Sequence, residues 1–415
     1  MTQRRQFLKA ISAAGTVVLA GCSGEDGETD ASGDGSSDGS SDGSSDGSTP
    51  TDTPMGQTTT SGSSDGTQRF GISMKSMGQA GLYVQGLAGK WYTRDMDDVE
   101  VTVLDAQFDA AKQTQDAINL LNQGIDGLLL NPYDANASAQ IVERATEENV
   151  PVMNFDTATL SKDIKLGALF GQYRGGEVAA ERFTEMMDEK GMDSAKIITS
   201  VFNFSSTTSQ QRLYGFTENV PDSVEVVSRI ESNGTAEDSA PKTQNALQAN
   251  PDVDAIYSNN VGSGMGALQA LDQFGQYEKK GEDGHVMAFG IDGGPELNQR
   301  IGEGYYDFAI DQPLHMYAPL TLELMFDYLD GGDDALPQVG DTVTPGQELS
   351  LENKEVFGTN PWEEQFWGPA DMVEYEAQDE AWWPWMKCRH AMITQDNADA
   401  SYLYGNVARA YEQQN

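Results

Sequence analysis

The chain has 415 residues, of which 66 are acidic and 25 are basic, so its formal net charge is −41. Such a negative field repels nucleic acid and anionic lipid headgroups, which excludes both as partners. Apolar residues make up 38% of the chain and fall in periodic runs, which excludes a wholly disordered protein. The acidic surface is typical of a halophilic protein, because concentrated salt screens the repulsion between its charges.

The N-terminus predicts export followed by lipidation. Arg4 and Arg5 lie in a twin-arginine signal at residues 3–9, and a short apolar run follows at residues 10–20. Small residues then precede Cys22, as in a lipoprotein cleavage site. We expect residues 1–22 to be the signal and Cys22 to carry a lipid on the extracellular face of the cytoplasmic membrane. The alternatives are a plain signal peptide and a transmembrane helix, although the run is too short for about 30 Å of hydrocarbon.

Residues 23–68 predict a flexible, disordered tether. Asp-Gly-Ser-Ser repeats begin at Asp34, Asp38 and Asp42, and a Thr/Ser/Gly/Pro stretch follows them. A coil of this length has a root-mean-square reach of roughly 35–40 Å, which would keep a domain close to a membrane partner. The repeats lack the closing Glu and the spacing of a calcium loop, so they predict no metal site.

From Arg69 onwards, predicted strands and helices alternate. The first series has strands at 70–74, 99–104, 127–132 and 150–156, and helices at 83–94, 111–123 and 137–149. The second series has strands at 195–201, 224–227, 255–260, 286–292 and 306–310, and helices at 175–190, 209–219, 240–248, 264–274 and 318–329. This alternation predicts an α/β fold with two doubly wound parallel-sheet lobes of similar size.

Polar residues follow the predicted strands where the chain leaves each sheet. They are Asn131, Asp156, Asn259 or Asn260, Asp292 and Gln312. Ligands of open parallel sheets bind outside these carboxyl ends, and amides and carboxylates suit a ligand rich in hydroxyl groups. The alternative at each position is a helix cap or a turn. Arg212, near the start of a predicted helix, could fork onto two hydroxyls, or it could form a surface ion pair.

Six motifs in this order resemble the type I solute-binding proteins of ABC importers, the ribose- and galactose-binding group. The resemblance runs from residue 69 to 329 and returns near 392–406. The motifs are the Gly-Ile-Asp-Gly link and Asn-Pro strand end within 113–132, the strand at 150–156, Arg-x-x-Gly-Phe at 212–216, Asn-Asn through Gly-Ala at 259–267, the strand-ending Asp-Gly at 289–293, and Gln-x-Pro-like Asp-Gln-Pro at 311–313.

The resemblance implies a Venus-flytrap arrangement of two lobes joined by three chain crossovers. One lobe would be residues 69–171 with 313–330 and the other 172–312, with crossovers near 171–172, near 312–313 and after 329. The resemblance also implies that a sugar is hydrogen-bonded by Asn131, Asp156, Arg212, Asn260, Asp292 and Gln312. Tyr83 would keep one aromatic ring of the family's first loop. Thr157 stands where the family often has Arg, which argues against ribose as the sugar.

Residues 331–390 form an insertion relative to that family. Five of the six tryptophans lie in it, and we expect them to pack the insertion onto its domain; sugar stacking and a partner surface are the alternatives. Cys388, also within it, is expected to be a buried or inert thiol. Residues 391–415 are expected to return to the lobes.

The sequence therefore predicts an extracellular, lipid-anchored receptor that captures a monosaccharide and delivers it to the membrane permease of an ABC importer. We expect no cofactor, no metal and no enzymatic activity, since no nucleophile elbow or phosphate-binding loop is present in the sequence. The alternatives are a receptor for a nucleoside or an amino acid and a chemosensory sugar receptor. A glycoside-processing enzyme that uses Asp156 and Asp292 is a further alternative.

Overall fold

The computed structural model describes residues 66–415. The predicted signal at 1–22, the predicted lipidation site Cys22 and nearly all of the predicted tether at 23–68 lie outside the described residues. The described residues form two α/β lobes, each built around one sheet.

The strands and helices alternate along most of the chain, as predicted. The first elements are β1 (Gln68–Met74), α1 (Ala80–Thr93), β2 (Val99–Asp105), α2 (Ala110–Leu121), β3 (Gly127–Asn131), α3 (Ala139–Glu147), β4 (Val152–Phe155), β5 (Ile164–Phe170) and α4 (Gln172–Lys190). They are followed by β6 (Ala195–Val201), α5 (Thr207–Thr217), β7 (Val224–Glu231), α6 (Ala236–Ala249), β8 (Ala255–Ser258), α7 (Val261–Phe274), β9 (Met287–Ile291), α8 (Pro295–Glu303), β10 (Phe308–Asp311) and α9 (Leu314–Gly331). The last are a short 3₁₀ helix (Gly332–Ala335), β11 (Thr342–Val343), β12 (Ala370–Ala377), β13 (Glu380–Cys388), β14 (Ala391–Ile393) and α10 (Tyr404–Glu412).

The two sheets share one topology at their centres. The first sheet has the order β11-β12-β13-β5-β4-β3-β1-β2 and the second has the order β14-β10-β9-β8-β6-β7. Strands β1 to β5 pair in parallel, and so do β6 to β10. Both sheets therefore reverse direction between their first and third strands, which is where open α/β sheets bind ligands. The prediction of two doubly wound lobes is confirmed.

The sheets are less uniform than predicted, because the last third of the chain adds strands to both. β13 joins β5 in parallel, whereas β11 pairs with β12 and β14 pairs with β10 in antiparallel fashion. Within the two series of alternating elements, the strand β5 and the helix α8 were not predicted, and neither were the later elements β11–β14, the 3₁₀ helix and α10. The sequence of β5 is the apolar run typical of a buried strand, but the loop before it obscures the residue at which the strand begins.

The chain crosses between the sheets three times. Two crossings, from β5 to α4 and from β10 to α9, lie near the predicted positions. The third lies between β13 and β14, at Arg389 and His390, and not soon after Leu329 as the resemblance suggested. The chain stays in the first lobe through α9 and β11–β13, because α9 packs on α1 and β13 on β5.

The insertion is held to the first lobe by its tryptophans. Trp362 and Trp367 are fully buried, and the indole of Trp383 donates a 2.9 Å hydrogen bond to the carbonyl oxygen of Thr159. Gly167 leaves room for the Trp383 ring, which a Cβ at that position would approach to 2.3 Å. Packing, and not exposure to a partner, is thus the role of these three side chains. Cys388 is buried as predicted, and burial raises the pKa of its thiol.

A pH-dependent stability follows from His315 in α9. It is fully buried and its Nε2 lies 2.8 Å from the carbonyl oxygen of Pro361, and burial lowers its pKa to about 4. The unfolded state therefore binds a proton near pH 6.5 that the folded state does not, so stability falls as the pH drops from about 6.5 to 4, by up to about 3 kcal/mol. We expect His315→Gln, which keeps a donor for Pro361, to flatten this slope in denaturant unfolding measured across pH.

Part of the dependence of stability on pH should remain in His315→Gln, because burial also lowers the pKa of His390 to about 4. The double variant of His315 and His390 should flatten the slope further. Identical slopes in the parent and His315→Gln would show that His315 is not a source of the pH dependence.

Candidate ligand-binding site

The first lobe gathers charged and amide side chains around Asp156, which follows β4. Lys75, one residue after β1, places its Nζ 2.7 Å from Oδ2 of Asp156. Gln85 in α1 donates through Nε2 to the other carboxylate oxygen at 3.4 Å. The Nζ of Lys75 also donates to Oγ1 of Thr157 at 2.7 Å. We call Asp156, Lys75 and Gln85 the Asp156 cluster.

The second lobe holds a matching group around Asp292, which follows β9. Nη1 of Arg212 donates to Oδ2 of Asp292 at 2.6 Å, and Nε2 of Gln312 donates to Oδ1 at 2.6 Å. Arg212 also donates to the backbone oxygen of Asn259 at 2.8 Å and, through Nε, to Oε1 of Gln172 at 2.7 Å. We call Asp292, Arg212 and Gln312 the Asp292 cluster. The surface ion pair considered for Arg212 is wrong, since its side chain is buried.

The two aspartates share one backbone conformation. Asp156 has φ 62° and Asp292 has φ 67°, in the left-handed region that non-glycine residues rarely adopt. Each backbone N–H donates to the next strand of its sheet, to Ala168 at 3.1 Å and to Ile310 at 2.9 Å. The chain thus turns at the strand end with the carboxylate held at the carboxyl edge. Backbone strain of this kind is concentrated at ligand clamps.

Close helix packing brings Arg212 into place. A Cβ at Gly215 would lie 2.1 Å from the carbonyl oxygen of Tyr173, and a Cβ at Gly176 would lie 2.2 Å from that of Arg212. Helices α4 and α5 therefore meet backbone to backbone, which only glycine allows at these points. This contact explains why Arg212 is followed by a glycine three residues later.

Three predicted amides are engaged with the protein itself. Asn131 is fully buried and donates to Oε1 of Gln85 at 2.8 Å, while its Oδ1 has no hydrogen-bond partner among residues 66–415. Asn259 donates to Oγ of Ser209 at 2.7 Å and accepts from the backbone of Phe202 at 3.1 Å. Asn260 is the N-cap of α7, as one of the two sequence interpretations held, and its Oδ1 accepts from the backbone of Ser263.

Tyr83 lies elsewhere, against α10. Its hydroxyl donates to Oε1 of Glu412 at 2.6 Å, and its ring packs on Tyr411 with centroids 5.6 Å apart. Burial, and then the Glu412 carboxylate, raise the pKa of the Tyr83 phenol. The structure therefore brings six of the eight predicted residues to the two clusters and their neighbours, whereas Asn260 caps α7 and Tyr83 lies on a helix-packing surface.

Both clusters act on one buried tyrosine of α9. Burial raises the pKa of Tyr317 well above its ordinary value, and the carboxylates of Asp156 and Asp292 raise it further. The Tyr317 hydroxyl donates to Oε1 of Gln312 at 3.3 Å. Tyr317 of α9 is therefore a hydrogen-bonded neighbour of the Asp292 cluster, next to the crossover at Gln312.

Sequence reasoning missed two kinds of residue at this edge. Lys75 and Gln85 were not predicted, although Lys75 directly follows the first strand. Three of the four exposed large apolar side chains in residues 66–415 also follow strand ends: Phe108 after β2, Tyr133 after β3 and Phe204 after β6. Phe108 and Tyr133 meet edge to face at 5.7 Å, and such rings can contact the apolar face of a ligand.

Residues 66–415 contain no group of three or more His, Cys, Asp or Glu side chains placed to hold a metal ion. Within the same range, no helix has the length and apolar content needed to cross a membrane.

Comparison with known proteins matches residues 70–333 to the family model described as the periplasmic binding protein domain. The ribose import binding protein RbsB of Bacillus subtilis is 28% identical over 233 residues, which are 56% of this chain and 72% of that protein. The D-xylose-binding periplasmic protein of Escherichia coli is 23% identical over 252 residues, 60% of this chain and 73% of that protein.

Solved structures agree in fold. The periplasmic binding protein of the arabinose ABC transporter from Shewanella sp. ANA-3, bound to L-arabinofuranose, superposes with a TM-score of 0.62. The match has 15% identity and covers 84% of this chain and 99% of that chain.

The Arg212–Asp292 pair should be required for stability. Replacing Arg212 with Met leaves a carboxylate that is largely withdrawn from water without its cation, and losing one partner of a buried pair costs about 3–5 kcal/mol. We expect Arg212→Met to lower the free energy of unfolding by that amount without ligand. Arg229→Met, which removes an exposed cation from β7 of the same lobe, should change it by less than about 0.5 kcal/mol. Equal effects of the two variants would contradict the structural importance of the pair.

Proposed function

We propose that this chain, which belongs to the periplasmic binding protein domain family, captures a monosaccharide between its two lobes and delivers it to the permease of an ABC importer. The relatives named above are binding proteins for ribose, xylose and arabinose. The observation that carries the proposal is the pair of strand-end carboxylates, Asp156 and Asp292, each at the carboxyl edge of its own sheet.

The chemistry of the two clusters supports a sugar. Oδ2 of Asp156 already accepts from both Lys75 and Thr157, but Oδ1 of Asp156 and both oxygens of Asp292 each accept one described hydrogen bond and can accept another from a ligand hydroxyl. Arg212 and the amides supply donors to the same hydroxyl oxygens. Groups that donate and accept side by side suit vicinal hydroxyls. We assign ligand contact to Asn131, Asp156, Arg212, Asp292 and Gln312. Asn259 would act indirectly, because its backbone oxygen holds Arg212, and Asn260 would act indirectly as the cap of α7.

Each cluster pairs one carboxylate with one cation, which also favours a neutral ligand. The charges of Asp156 and Asp292 are balanced by Lys75 and Arg212. An anionic ligand would add an unbalanced charge to a site in a strongly acidic protein, and would be repelled on approach. An amino acid is a zwitterion whose two charges would each need a partner in the site, and both cations are already paired with carboxylates, so amino acids are the weaker alternative.

A hinge motion supports delivery. Two lobes joined by three crossovers can close around a ligand that bridges the cleft, and the closed form would be the one that the permease recognises. The twin-arginine signal and Cys22 support display of this receptor on the cell surface, with residues 23–68 as its tether.

The site supports binding without catalysis. A glycosidase needs one carboxylic acid that is kept protonated opposite a second carboxylate. Asp156 and Asp292 are instead each engaged by a cation, Lys75 at 2.7 Å and Arg212 at 2.6 Å, so neither is free to act as a proton donor to a leaving group. A sugar that binds should therefore be recovered unchanged.

A ligand screen tests the function directly. Residues 66–415 in molar salt are mixed with pentoses, hexoses, nucleosides and amino acids, and melting is followed together with titration calorimetry. A ligand at 100 times its dissociation constant adds about 2.7 kcal/mol of stability. We expect a neutral monosaccharide to raise the melting temperature and chromatography to show no product. Stabilisation by an amino acid and by no sugar would overturn the proposal.

The lipid anchor is tested separately. We expect Cys22→Ser to release an intact, ligand-competent protein into the medium, because the only proposed attachment is the lipid on that sulfur. Cys388→Ala is the matched control and should stay with the cell, since Cys388 is buried in the folded domain. Retention of Cys22→Ser on washed cells would count against lipidation and leave the sugar-binding proposal intact.

A further inference from the structure

The C-terminal helix α10 contacts both lobes. The chain reaches it from β14, which pairs with β10 in the second sheet, so α10 is connected to the second lobe. It packs on α8 of that lobe and also on α1 of the first lobe. The crossovers are therefore accompanied by a further link between the lobes, which is made by side chains and not by the backbone.

The beginning of α10 is fixed to the second lobe. Tyr404 is buried, and its hydroxyl donates to the carbonyl oxygen of Gly293, which directly follows Asp292. A Cβ at Gly405 would lie 2.5 Å from the carbonyl carbon of Gly294, so the helix meets this turn backbone to backbone. The base of α10 therefore moves together with the turn that carries Asp292.

The end of α10 lies against the first lobe. The hydroxyl of Tyr83 in α1 donates to Oε1 of Glu412 at 2.6 Å. The ring of Tyr411 packs on Tyr83, on Trp91 and on Phe357 of the insertion, with centroids 5.6, 5.4 and 5.2 Å away. We call these five residues the latch contact. Each of them is half-buried or exposed, so they can separate at a smaller cost than the buried base of the helix.

The insertion adds to the same link between the lobes. The ring of Phe366 packs on that of Tyr402, just before α10, with centroids 5.9 Å apart, and the hydroxyl of Ser401 donates to the carboxylate of Glu363. The insertion is held to the first lobe, whereas Ser401 and Tyr402 follow β14 of the second. The insertion thus supplies part of the surface against which the C-terminal segment rests.

The positions of α1 and α8 decide which hinge motion breaks the latch contact. α1 follows β1 and α8 follows β9, so both helices begin at the carboxyl edges where the ligand is proposed to bind. Opening of the cleft moves these two edges apart. Because the base of α10 moves with the second lobe, opening draws its end away from α1. The latch contact is therefore made when the lobes are closed and is lost when they open.

We propose that α10 is a latch that favours the closed lobes, and that it thereby raises the affinity for the ligand and slows ligand release. The proposal rests on the proposed function, since it concerns the regulation of that same site. A ligand that needs the closed form binds with an apparent dissociation constant that rises as the closed fraction falls. An aromatic contact of this kind changes such an equilibrium by about 2- to 10-fold, which tunes release without preventing it.

Distances between the lobes and ligand affinity, measured on the same variants, test the proposal. The variants are made in the full chain carrying Cys22→Ser, which leaves the buried Cys388 as the one native cysteine. Spin labels are attached at Glu143→Cys in the first lobe and at Gln248→Cys in the second, both exposed positions. Pulsed electron paramagnetic resonance gives the distance between the labels in molar salt. Calorimetry and stopped-flow mixing with D-ribose, D-xylose, L-arabinose and D-allose give the dissociation constant and the dissociation rate.

We expect Tyr411→Ala to lengthen the mean distance between the labels without ligand. It should also weaken binding and speed dissociation by about 2- to 10-fold each. Tyr83→Phe keeps the ring and loses only the hydrogen bond to Glu412, so it should change all three in the same direction by a smaller factor, and it is informative even where Tyr411→Ala does not fold. Tyr305→Ala is the matched control, because it breaks a stacked pair with Tyr277, at 4.2 Å, within the second lobe. It should lower the melting temperature and leave distance and affinity at the parent's values.

The outcomes that contradict the latch differ from those that contradict the proposed function. Tyr411→Ala with the parent's label distance and affinity would overturn the latch even if its melting temperature fell, because a merely structural contact changes stability alone. A shorter distance or tighter binding would show that α10 holds the lobes apart, and would equally overturn it. A folded parent that binds none of the sugars would overturn the proposed function, and the label distance without ligand would then decide on the latch by itself.

Discussion

The buried ion pair between Arg212 and Asp292 is the interaction on which both the site and the hinge depend. Arg212 is bonded to Gln172, the first residue of α4 after one crossover, and Asp292 to Gln312, at the second crossover. Two of the three connections between lobes are thus tied to one charged pair. A ligand that competes for these donors and acceptors would act on the binding residues and on the crossover segments through the same hydrogen bonds, which gives capture a direct route to lobe closure.

That pair can be buried because the helices around it pack without side chains in between. Gly176 and Gly215 let α4 and α5 touch along their backbones, and Phe216 then stacks on Tyr257 with ring centroids 4.1 Å apart. Tyr257 in turn donates to the carbonyl oxygen of Arg212 at 3.0 Å. A buried charge is costly to remove from water unless every partner is in place, so this packing is a condition of the site as much as of the fold.

Much of this could be predicted from the sequence, for identifiable reasons. Apolar runs such as that at Gly127–Asn131 mark buried parallel strands, and the polar residue at the end of each run marks the ligand edge. Local patterns could not reveal contacts made across the sheet. Lys75 reaches Asp156 over 81 positions of sequence, and Gln85 reaches it over 71. The contacts of Tyr83 could not be predicted for the related reason that its partners, Tyr411 and Glu412, lie more than 300 positions away in the sequence.

The two lobes can be compared with each other, which gives information on residue roles that local sequence patterns do not contain. A sheet topology that occurs twice in one chain carries its own internal control, because a residue with a doubtful role in one lobe can be judged by its counterpart in the other. Asp156 and Asp292 agree in position, backbone conformation and partner types, so the features in which their clusters differ are the informative ones. The difference is an ammonium against a guanidinium, supplied from β1 in one lobe and from α5 in the other. A site with two equivalent ends would not discriminate between the two orientations of a sugar, so this difference is the feature that would let the proposed site hold its ligand in one orientation.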